Sequence, residues 1–340
     1  MSEITIRSGA LPNAGAIISK TLKPGLAAII SDDNVMPLYG SALERSLKDA
    51  GWRVVRHTFP HGEENKTIGT YAQMLDFLAQ ARLTRTDAVV ALGGGVTGDM
   101  AGFAAATYLR GVKLVQVPTT LLACVDSSVG GKTAVDLPAG KNLAGAFYQP
   151  HAVVIDPEAL RTLPDEIFRD GMAEVIKHGA IRDADLFRRL PGVRGDLDGI
   201  VARNVAIKRS VVEQDERDTG IRQILNFGHT FAHAIEKLSD YETSHGSAVA
   251  MGMAIMARAC ARRGLCADVA RDELIGMIRT FGLPTTCPYG AADMFDVMLS
   301  DKKRAGDKIT LVVLREIGCC ELYPTTLSEA RAFLEEGLEA

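Results

Sequence analysis

Residues 87–111, DAVVALGGGVTGDMAGFAAATYLRG, decide the fold of the N-terminal half. An apolar run ends in three consecutive glycines, and a helical pattern follows directly. Glycines at a strand-to-helix junction let backbone N–H groups approach a diphosphate, and a helix N-terminus favours its negative charge. The run is not GxGxxG, so a tight strand-to-helix turn explains it equally well. Asp99 in the first turn either caps the helix or bonds a ribose or nicotinamide group.

Similar apolar runs lie on both sides of this stretch, and each ends at Gly, Pro or Asp. They are AAIISD (27–32), RVVRHTF (53–59), VKLVQVP (112–118) and AVVIDP (152–157). Helix-like segments separate them, which predicts a mostly parallel sheet covered on both faces. Ligands of such sheets bind beyond the C-terminal strand ends, where Asp32 and the loop after Leu92 fall.

The pattern changes after residue 158, where apolar residues recur at three- and four-residue spacing and predict helices. One exception is KITLVVLREIGCCELYP (308–324), which is typical of a β-hairpin with Gly318 near its turn. We therefore predict an α/β domain over residues 1–158 and a mainly helical domain over 159–340.

Composition excludes several classes of function. The 340 residues suffice for two domains, and a net charge of −4 gives no electrostatic case for a nucleic-acid partner. No apolar run approaches the roughly 20 residues that span a bilayer. Residues 1–12 show no basic region followed by an apolar stretch, so we expect no export. The six cysteines are scattered without CxxC spacing, which is typical of a reduced cytosol. We expect a cytoplasmic protein without a nucleic-acid or membrane partner.

Three of the seven histidines, His229, His233 and His245, fall within residues 225–253. Neutral imidazole is a common transition-metal ligand, and Glu174 upstream offers a carboxylate. Two or three histidines plus one carboxylate, with one position left open, is the ligand set of a catalytic zinc. Each histidine alone fits a solvated or core role better, but the set together indicates a metal.

The sequence alone does not choose the remaining ligands among His178, His233 and His245. His229 and His233 lie one helical turn apart, which is also ordinary spacing for residues that line one cleft. Gly228 and Gly246 flank His229 and His245, as if close approach were needed there. This mildly favours His229 and His245 over His178.

A second polar stretch is VPTTLLACVDSSVGGKTAVDLPAGKNLAGAFYQP (117–150). Lys132 and Lys141 each follow a glycine, and Asn142 comes next. The stretch shows no helical or strand periodicity, so we predict a loop that presents ammonium groups to phosphate or carboxylate. The alternative is two solvated surface lysines. In the helical half, further cationic and amide groups either face a polyanionic substrate or are ordinary solvated groups: Lys208, Arg222, Asn226, Lys302 and Lys303.

In combination, GGGVTGD, the 117–150 stretch, AEVIKHG, LNFGHTFAHAIE and SHGSAVAMGM closely resemble the 3-dehydroquinate synthase family of sugar phosphate cyclases. The resemblance runs from about Asp32 to Lys303. It implies a Rossmann-like NAD domain, a helical metal domain and a homodimer in which Arg110 reaches the neighbouring subunit's site. The cofactors implied are NAD and Zn²⁺, or Co²⁺ in its place.

The resemblance also assigns roles to individual residues. The implied metal ligands are Glu174, His229 and His245. NAD would be held by Asp32, Gly62, Glu63, Lys66, Gly94, Gly95, Val96, Thr97, Gly98, Asp99, Thr119, Thr120, Lys132, Lys141 and Thr162. The sugar phosphate would be contacted by Asp126, Lys132, Asn142, Lys177, Lys208, Arg222, Asn226, His233 and Lys302 or Lys303.

The implied reaction converts 3-deoxy-D-arabino-heptulosonate 7-phosphate to 3-dehydroquinate and phosphate in the shikimate pathway. It proceeds by transient oxidation with NAD, phosphate elimination, re-reduction and aldol cyclisation. Alternatives are another sugar phosphate cyclase, of the 2-deoxy-scyllo-inosose or valiolone type, and a metal-dependent polyol dehydrogenase. The sequence departs from the usual family pattern at His178, Ala232 and Ser247, and the last of these stands where Glu is common.

Overall fold

The computed structural model of the protein describes residues 2–302 and 307–339. They divide into two compact units. The first unit comprises Met1–Pro164 and Leu197–Val205, and the second comprises Asp165–Asp196 and Ala206–Ala340.

The first unit alternates strands and helices. Its strands are β1 (Glu3–Ile6), β2 (Leu26–Asp32), β3 (Arg53–Phe59), β4 (Ala88–Gly93), β5 (Lys113–Pro118), β6 (Lys132–Leu137), β7 (Gly140–Phe147) and β8 (Ala152–Ile155). Its helices are α1 (Ala14–Ile18), α2 (Ser41–Asp49), α3 (Ile68–Gln80) and α4 (Gly95–Thr107).

Six of these strands form one parallel sheet in the order β1-β8-β5-β4-β2-β3. Every residue of β2, β4 and β8 is buried, as expected for a sheet covered on both faces. Alternate residues of β2 serve opposite cores: Ile29 packs in one apolar cluster and Ile30 in the other. The predicted parallel α/β fold is confirmed.

The start of β2 is fastened to the turn before β4 by the Asp87 carboxylate. It accepts hydrogen bonds from the N–H groups of Leu26 (2.7 Å) and Thr84 (2.8 Å). Burial raises the pKa of Asp87, but these backbone donors outweigh burial and hold the pKa below its ordinary value.

The prediction of a loop over 117–150 was wrong in part. Residues 132–137 and 140–147 form the antiparallel hairpin β6–β7, so Lys132 begins β6 while Lys141 and Asn142 lie on β7. The hairpin was not predicted because Lys, Gly and Pro, which occur in both of its strands or between them, are poor strand formers. Gly145 is needed because a Cβ there would overlap the Thr133 carbonyl across the hairpin.

The second unit is mainly helical, as predicted. Its helices are α5 (Asp165–Arg182), α6 (Ala184–Arg189), the C-terminal part of α7 (Leu197–Gln214), α8 (His229–Leu238), α9 (His245–Arg262), α10 (Asp268–Thr280), α11 (Ala291–Lys302) and α12 (Leu327–Leu338). Strands β9 (Lys308–Glu316) and β10 (Cys319–Thr326) form the predicted antiparallel hairpin, with Gly318 at φ +91° in its turn.

Helices α8 and α9 touch through their backbones. Gly228, just before α8, has φ +80°, and a Cβ there would lie 2.8 Å from the Met253 backbone nitrogen. A Cβ on Gly252 of α9 would overlap the Gly228 carbonyl oxygen. Only glycine fits both positions, so the crossing of the two helices is fixed by main-chain contact.

Within residues 2–302 and 307–339, none of the helices combines the length and the apolar character that crossing a membrane requires.

Candidate functional site

The second unit brings together one carboxylate and two imidazoles from three helices. Glu174 is buried on α5, while His229 and His245 are the first residues of α8 and α9. One ligand atom from each of the three lies within 4.8 Å of the others. This group of Glu174, His229 and His245 is called the ligand triad below.

The distances in the ligand triad fit a tetrahedral metal. Glu174 Oε1 lies 3.5 Å from His229 Nε2 and 3.6 Å from His245 Nε2. Bonds of 2.0–2.2 Å at tetrahedral angles place ligand atoms about 3.3–3.6 Å apart. Two nitrogens and one carboxylate oxygen are also the donor set of catalytic zinc sites with an open position. The residues present therefore fit a divalent cation.

Each imidazole of the triad is oriented through its second nitrogen. His229 Nδ1 lies 3.3 Å from the Phe227 carbonyl oxygen, and His245 Nδ1 lies 3.3 Å from Glu236 Oε1. Such acceptors fix the tautomer with Nδ1 protonated, which leaves the lone pair of each Nε2 available to coordinate a metal. Sequence reasoning missed Glu236, although its position seven residues after His229 places it on the same helical face.

The two imidazoles of the triad titrate differently. Burial and then the nearby Lys177 ammonium hold the pKa of His229 well below its ordinary value. Burial also acts to lower the pKa of His245, but the Glu174 and Glu236 carboxylates outweigh it and raise that pKa to about 10. A cation bound at the triad would therefore replace a proton on His245.

The other histidine candidates lie nearby. The ring of His233 is exposed, 5.7 Å from the His229 ring and edge-on to it. His178 is fully buried on α5. His233 therefore lies beside the ligand triad but does not belong to it, and His178 has a ring nitrogen within 4.8 Å of a Glu174 carboxylate oxygen.

Buried cations are a second feature of this unit. Lys177 forms an ion pair with Glu174, and Lys177, Lys208 and Arg222 are exposed by only 2%, 6% and 2%. The Arg222 guanidinium donates a hydrogen bond to the Glu216 carbonyl oxygen. Asn226, three residues before His229, is half-buried. Lys303 lies outside the described residues, as does the side chain of Lys302.

In the first unit, Lys66 is the centre of a polar cluster. Its ammonium donates to Asp99 Oδ2 and to Asn142 Oδ1, each at 2.7 Å, and Glu63 lies 3.9 Å away. Burial acts to lower the pKa of Lys66, yet the carboxylates of Asp99 and Glu63 outweigh it and raise that pKa. Asp99 therefore pairs with a lysine and does not cap α4, whose N-cap is Gly94. Lys141 approaches the Glu63 carboxylate at 3.8 Å.

Another cluster lies at the C-terminal ends of β2 and β4. The Asp32 carboxylate accepts hydrogen bonds from Asn34 N–H (3.0 Å) and from Thr97 Oγ1 (3.2 Å). The first turn of α4 begins at Gly95, and its leading amides have no acceptor within the helix. A Cβ on Gly94 would lie 3.1 Å from Thr120 Cγ2, so the glycine loop packs tightly against the segment after β5.

The remaining predicted residues of the first unit are spread over several elements. Thr119 is buried directly after β5, and Asp126 lies half-buried in the short π-helix Ala123–Ser127. Lys132 and Arg110 are exposed. The Thr162 hydroxyl is hydrogen-bonded to the Tyr39 hydroxyl, a partner that the sequence did not indicate.

Two synthases are among the solved structures that share this fold. The 2-epi-5-epi-valiolone synthase from Streptomyces hygroscopicus subsp. jinggangensis, solved with NAD⁺ and Zn²⁺ bound, aligns with a TM-score of 0.90 and 26% identity, over 100% of this chain and 97% of that chain. A 2-deoxy-scyllo-inosose synthase complexed with carbaglucose-6-phosphate, NAD⁺ and Co²⁺ aligns with a TM-score of 0.88 and 27% identity, over 98% and 96%. The fold is thus the one found in these two sugar phosphate cyclases.

Comparison of sequences narrows the class. Models of the N-terminal and C-terminal domains of 3-dehydroquinate synthase match residues 56–170 and 171–304. The 3-dehydroquinate synthase of Enterococcus faecalis is 42% identical over 340 residues, which is 98% of this chain and 95% of the relative. The chain belongs to the 3-dehydroquinate synthase family, and it is an enzyme.

Proposed function

We propose that the enzyme converts 3-deoxy-D-arabino-heptulosonate 7-phosphate to 3-dehydroquinate and phosphate, with NAD and a divalent metal, Zn²⁺ or Co²⁺. The observation that carries the proposal is the ligand triad, whose 3.5 and 3.6 Å spacings suit a tetrahedral cation in a chain of this family. The higher identity to a 3-dehydroquinate synthase than to the two solved synthases favours this reaction over theirs.

The metal-binding residues in this proposal are Glu174, His229 and His245. A bound divalent cation would supply Lewis acidity at substrate hydroxyls, and NAD would supply a reversible hydride acceptor. Glu236 and the Phe227 carbonyl hold the imidazole rings in place. Such outer contacts pre-organise the site before any cation binds.

In the first unit, we assign NAD to the C-terminal edge of the sheet. The first turn of α4 would hold the diphosphate on backbone amides. Asp32 and the Lys66–Asp99 pair flank that turn and would bond hydroxyl or amide groups of the cofactor. The other residues assigned to NAD are Gly62, Glu63, Gly94, Gly95, Val96, Thr97, Gly98, Thr119, Thr120, Lys132, Lys141 and Thr162.

The substrate carries a carboxylate, a phosphate and several hydroxyls. Lys177, Lys208 and Arg222 are buried cations. They would donate charge-assisted hydrogen bonds to the carboxylate and the phosphate of the substrate, and such bonds are stronger than those between neutral groups. The exposed His233 ring beside the triad would exchange protons with the substrate. The other residues assigned to the substrate are Asp126, Lys132, Asn142, Asn226 and Lys302 or Lys303.

The test is to follow phosphate and NADH together. With NAD⁺, Zn²⁺ and the heptulosonate phosphate, we expect steady phosphate release while absorbance of NADH stays flat, because the cofactor is regenerated in each turnover. A heptulose phosphate without the carboxylate should react far more slowly. Steady NADH accumulation with a polyol, without phosphate release, would instead establish a dehydrogenase.

We also propose a homodimer that places Arg110 in the neighbouring subunit's site. Leu143 and Phe147 project from one face of β7 and are 59% and 52% exposed, and Leu109 beside Arg110 is 42% exposed. Exposed apolar side chains of this size are typical of interfaces. The turn at Gly111 lies against Tyr148, so the Arg110 turn adjoins the end of β7.

Subunit mixing tests this arrangement. Arg110→Ala and His229→Ala should each be inactive as homodimers. In a fully exchanged mixture half of the dimers are mixed, and one of their two sites is intact, so activity should return to roughly a quarter of wild type. Failure to recover activity in a proven mixed dimer would contradict the shared site.

We further propose a cytoplasmic location. The six cysteines are all free thiols, and Cys124, Cys260, Cys266 and Cys320 are buried. Free thiols persist in a reducing compartment. Fractionation of cells that express the tagged chain tests this proposal.

A further inference from the structure

Asp170 lies on α5, the helix that carries Glu174 of the ligand triad. It precedes Glu174 by one helical turn, and residues four apart lie on the same face of a helix. Asp170 therefore projects from the face of α5 that contributes the carboxylate of the ligand triad. Neither the histidine pattern nor the resemblance singles it out.

The Asp170 carboxylate meets the start of α9. Its Oδ1 accepts a hydrogen bond from the Ser247 N–H at 3.2 Å, and Ser247 is the third residue of the helix that His245 begins. The Ser244 residue at the N-cap makes no side-chain hydrogen bond to a helix amide, because its Oγ donates to Ser247 Oγ at 2.8 Å. The cap of α9 is therefore supplied by another helix.

Main-chain contact reinforces this link. A Cβ on Gly246 would overlap the Asp170 carbonyl oxygen, so the first turn of α9 lies directly against the backbone of α5. The two contacts fix the beginning of α9 relative to α5 within one turn of Glu174 and at the residues next to His245.

We infer that Asp170 is a positioning residue of the metal site: by capping α9 from α5, it sets the place of His245 relative to Glu174. The inference rests on the metal site in the proposed function. The carboxylate also stabilises the positive end of α9. Ser247 leaves room for this arrangement, since a carboxylate at position 247 would face Asp170 and repel it.

Zinc affinity of the metal-free protein, measured by competition with a chromophoric chelator, tests the inference. Asp170→Ala should weaken zinc binding by about tenfold, the lower end of the effect of outer contacts on metal affinity. Asp170→Asn keeps an oxygen acceptor and should recover most of the affinity. Ser247→Glu, which leaves Asp170 in place, should weaken zinc binding as Asp170→Ala does.

The visible spectrum of the Co²⁺ form supplies an independent readout, because its d–d bands report ligand geometry. We expect altered bands in Asp170→Ala and near-normal bands in Asp170→Asn. Asp268→Asn is the matched control, since it removes a carboxylate from the first turn of α10, which carries no triad residue. It should change neither readout.

The outcomes separate the two proposals. If the wild-type protein binds neither metal, the proposed metal site fails. If it binds both, and Asp170→Ala and Ser247→Glu match it in zinc affinity and Co²⁺ spectrum, the positioning role is overturned. If Asp170→Ala does not fold, Ser247→Glu decides: wild-type zinc affinity in Ser247→Glu overturns the role.

Discussion

Replacing Gly228 by Ala should damage the second unit in two separable ways. Gly228 has φ +80°, a conformation that costs an L-residue about 1–2 kcal/mol. Its new Cβ would also lie 2.8 Å from the Met253 nitrogen and 2.9 Å from the Val249 carbonyl oxygen, both backbone atoms of α9. Overpacking of this kind costs about 1–3 kcal/mol. The sum is a loss of about 2–5 kcal/mol.

Two other glycines separate the contributions. Gly264 has φ +66°, and a Cβ added there would have nothing within 4 Å, so Gly264→Ala should show only the backbone strain. Gly252 lies inside α9, where a Cβ would overlap the Gly228 carbonyl oxygen, so Gly252→Ala should show only the overlap. Gly228→Ala should therefore be less stable than Gly264→Ala, because it adds the helix contact to the same kind of backbone strain.

The assay is thermal unfolding of the metal-free protein, followed by zinc titration of each variant. Because relief of the overlap must shift α8 against α9, and each helix begins with a triad histidine, Gly228→Ala and Gly252→Ala should also bind zinc more weakly. Gly264→Ala should bind zinc normally. Equal unfolding temperatures for Gly228→Ala and Gly264→Ala would refute the reasoning, since they would show that the helix contact carries no free energy.

Three further predictions concern single side chains. Glu236→Ala leaves the His245 ring without its carboxylate acceptor, and zinc affinity measured by chelator competition should fall about 10–100-fold. Because the pKa of Asp87 is lowered in the folded protein, its stabilisation is present above the unfolded pKa of about 3.9 and lost as pH falls through the folded pKa. Asp87→Asn should therefore lower the unfolding temperature at pH 7, and the difference from wild type should narrow below about pH 4. Lys66→Met leaves Asp99 without its buried cation, so NAD affinity measured by fluorescence titration should fall about tenfold or more.

Exposed residues of the same types serve as controls. Glu242→Ala, Asp76→Asn and Lys48→Met each change an exposed side chain and should leave zinc affinity, the pH profile and NAD affinity unchanged. If a control variant changed the measured quantity as much as its test variant does, the corresponding prediction would be contradicted.

The central strands could be predicted from the sequence because burial on both faces makes them continuous apolar runs. Strand β1 could not, since EITI is short, half-buried and begins with an exposed Glu. The hairpin β6–β7 could not be predicted from the sequence for a different reason. Its outer strand holds Asn142 at φ +55° and includes Gly140 and Gly145, and its exposed face alternates only over Leu143, Gly145 and Phe147.

The residue types of the candidate metal site could be predicted from the sequence, but spacing alone could not choose the members of the ligand triad. His229 and His233 are one turn apart, and spacing alone treats them alike. Only their positions in the folded unit distinguish them: His229 begins α8 beside the Gly228 contact, whereas His233 is exposed one turn later. Glu236 and Asp170 are single carboxylates on helices, and such a residue has no recognisable sequence pattern.

Both imidazoles of the triad are the first residues of helices, which has an electrostatic consequence. Each helix N-terminus carries about half a positive elementary charge. Two such ends at one place lower the free energy of any anion beside them. The fold itself, apart from any ion, therefore attracts oxygen anions to this corner of the second unit, and neutral analogues of the substrate forgo that attraction.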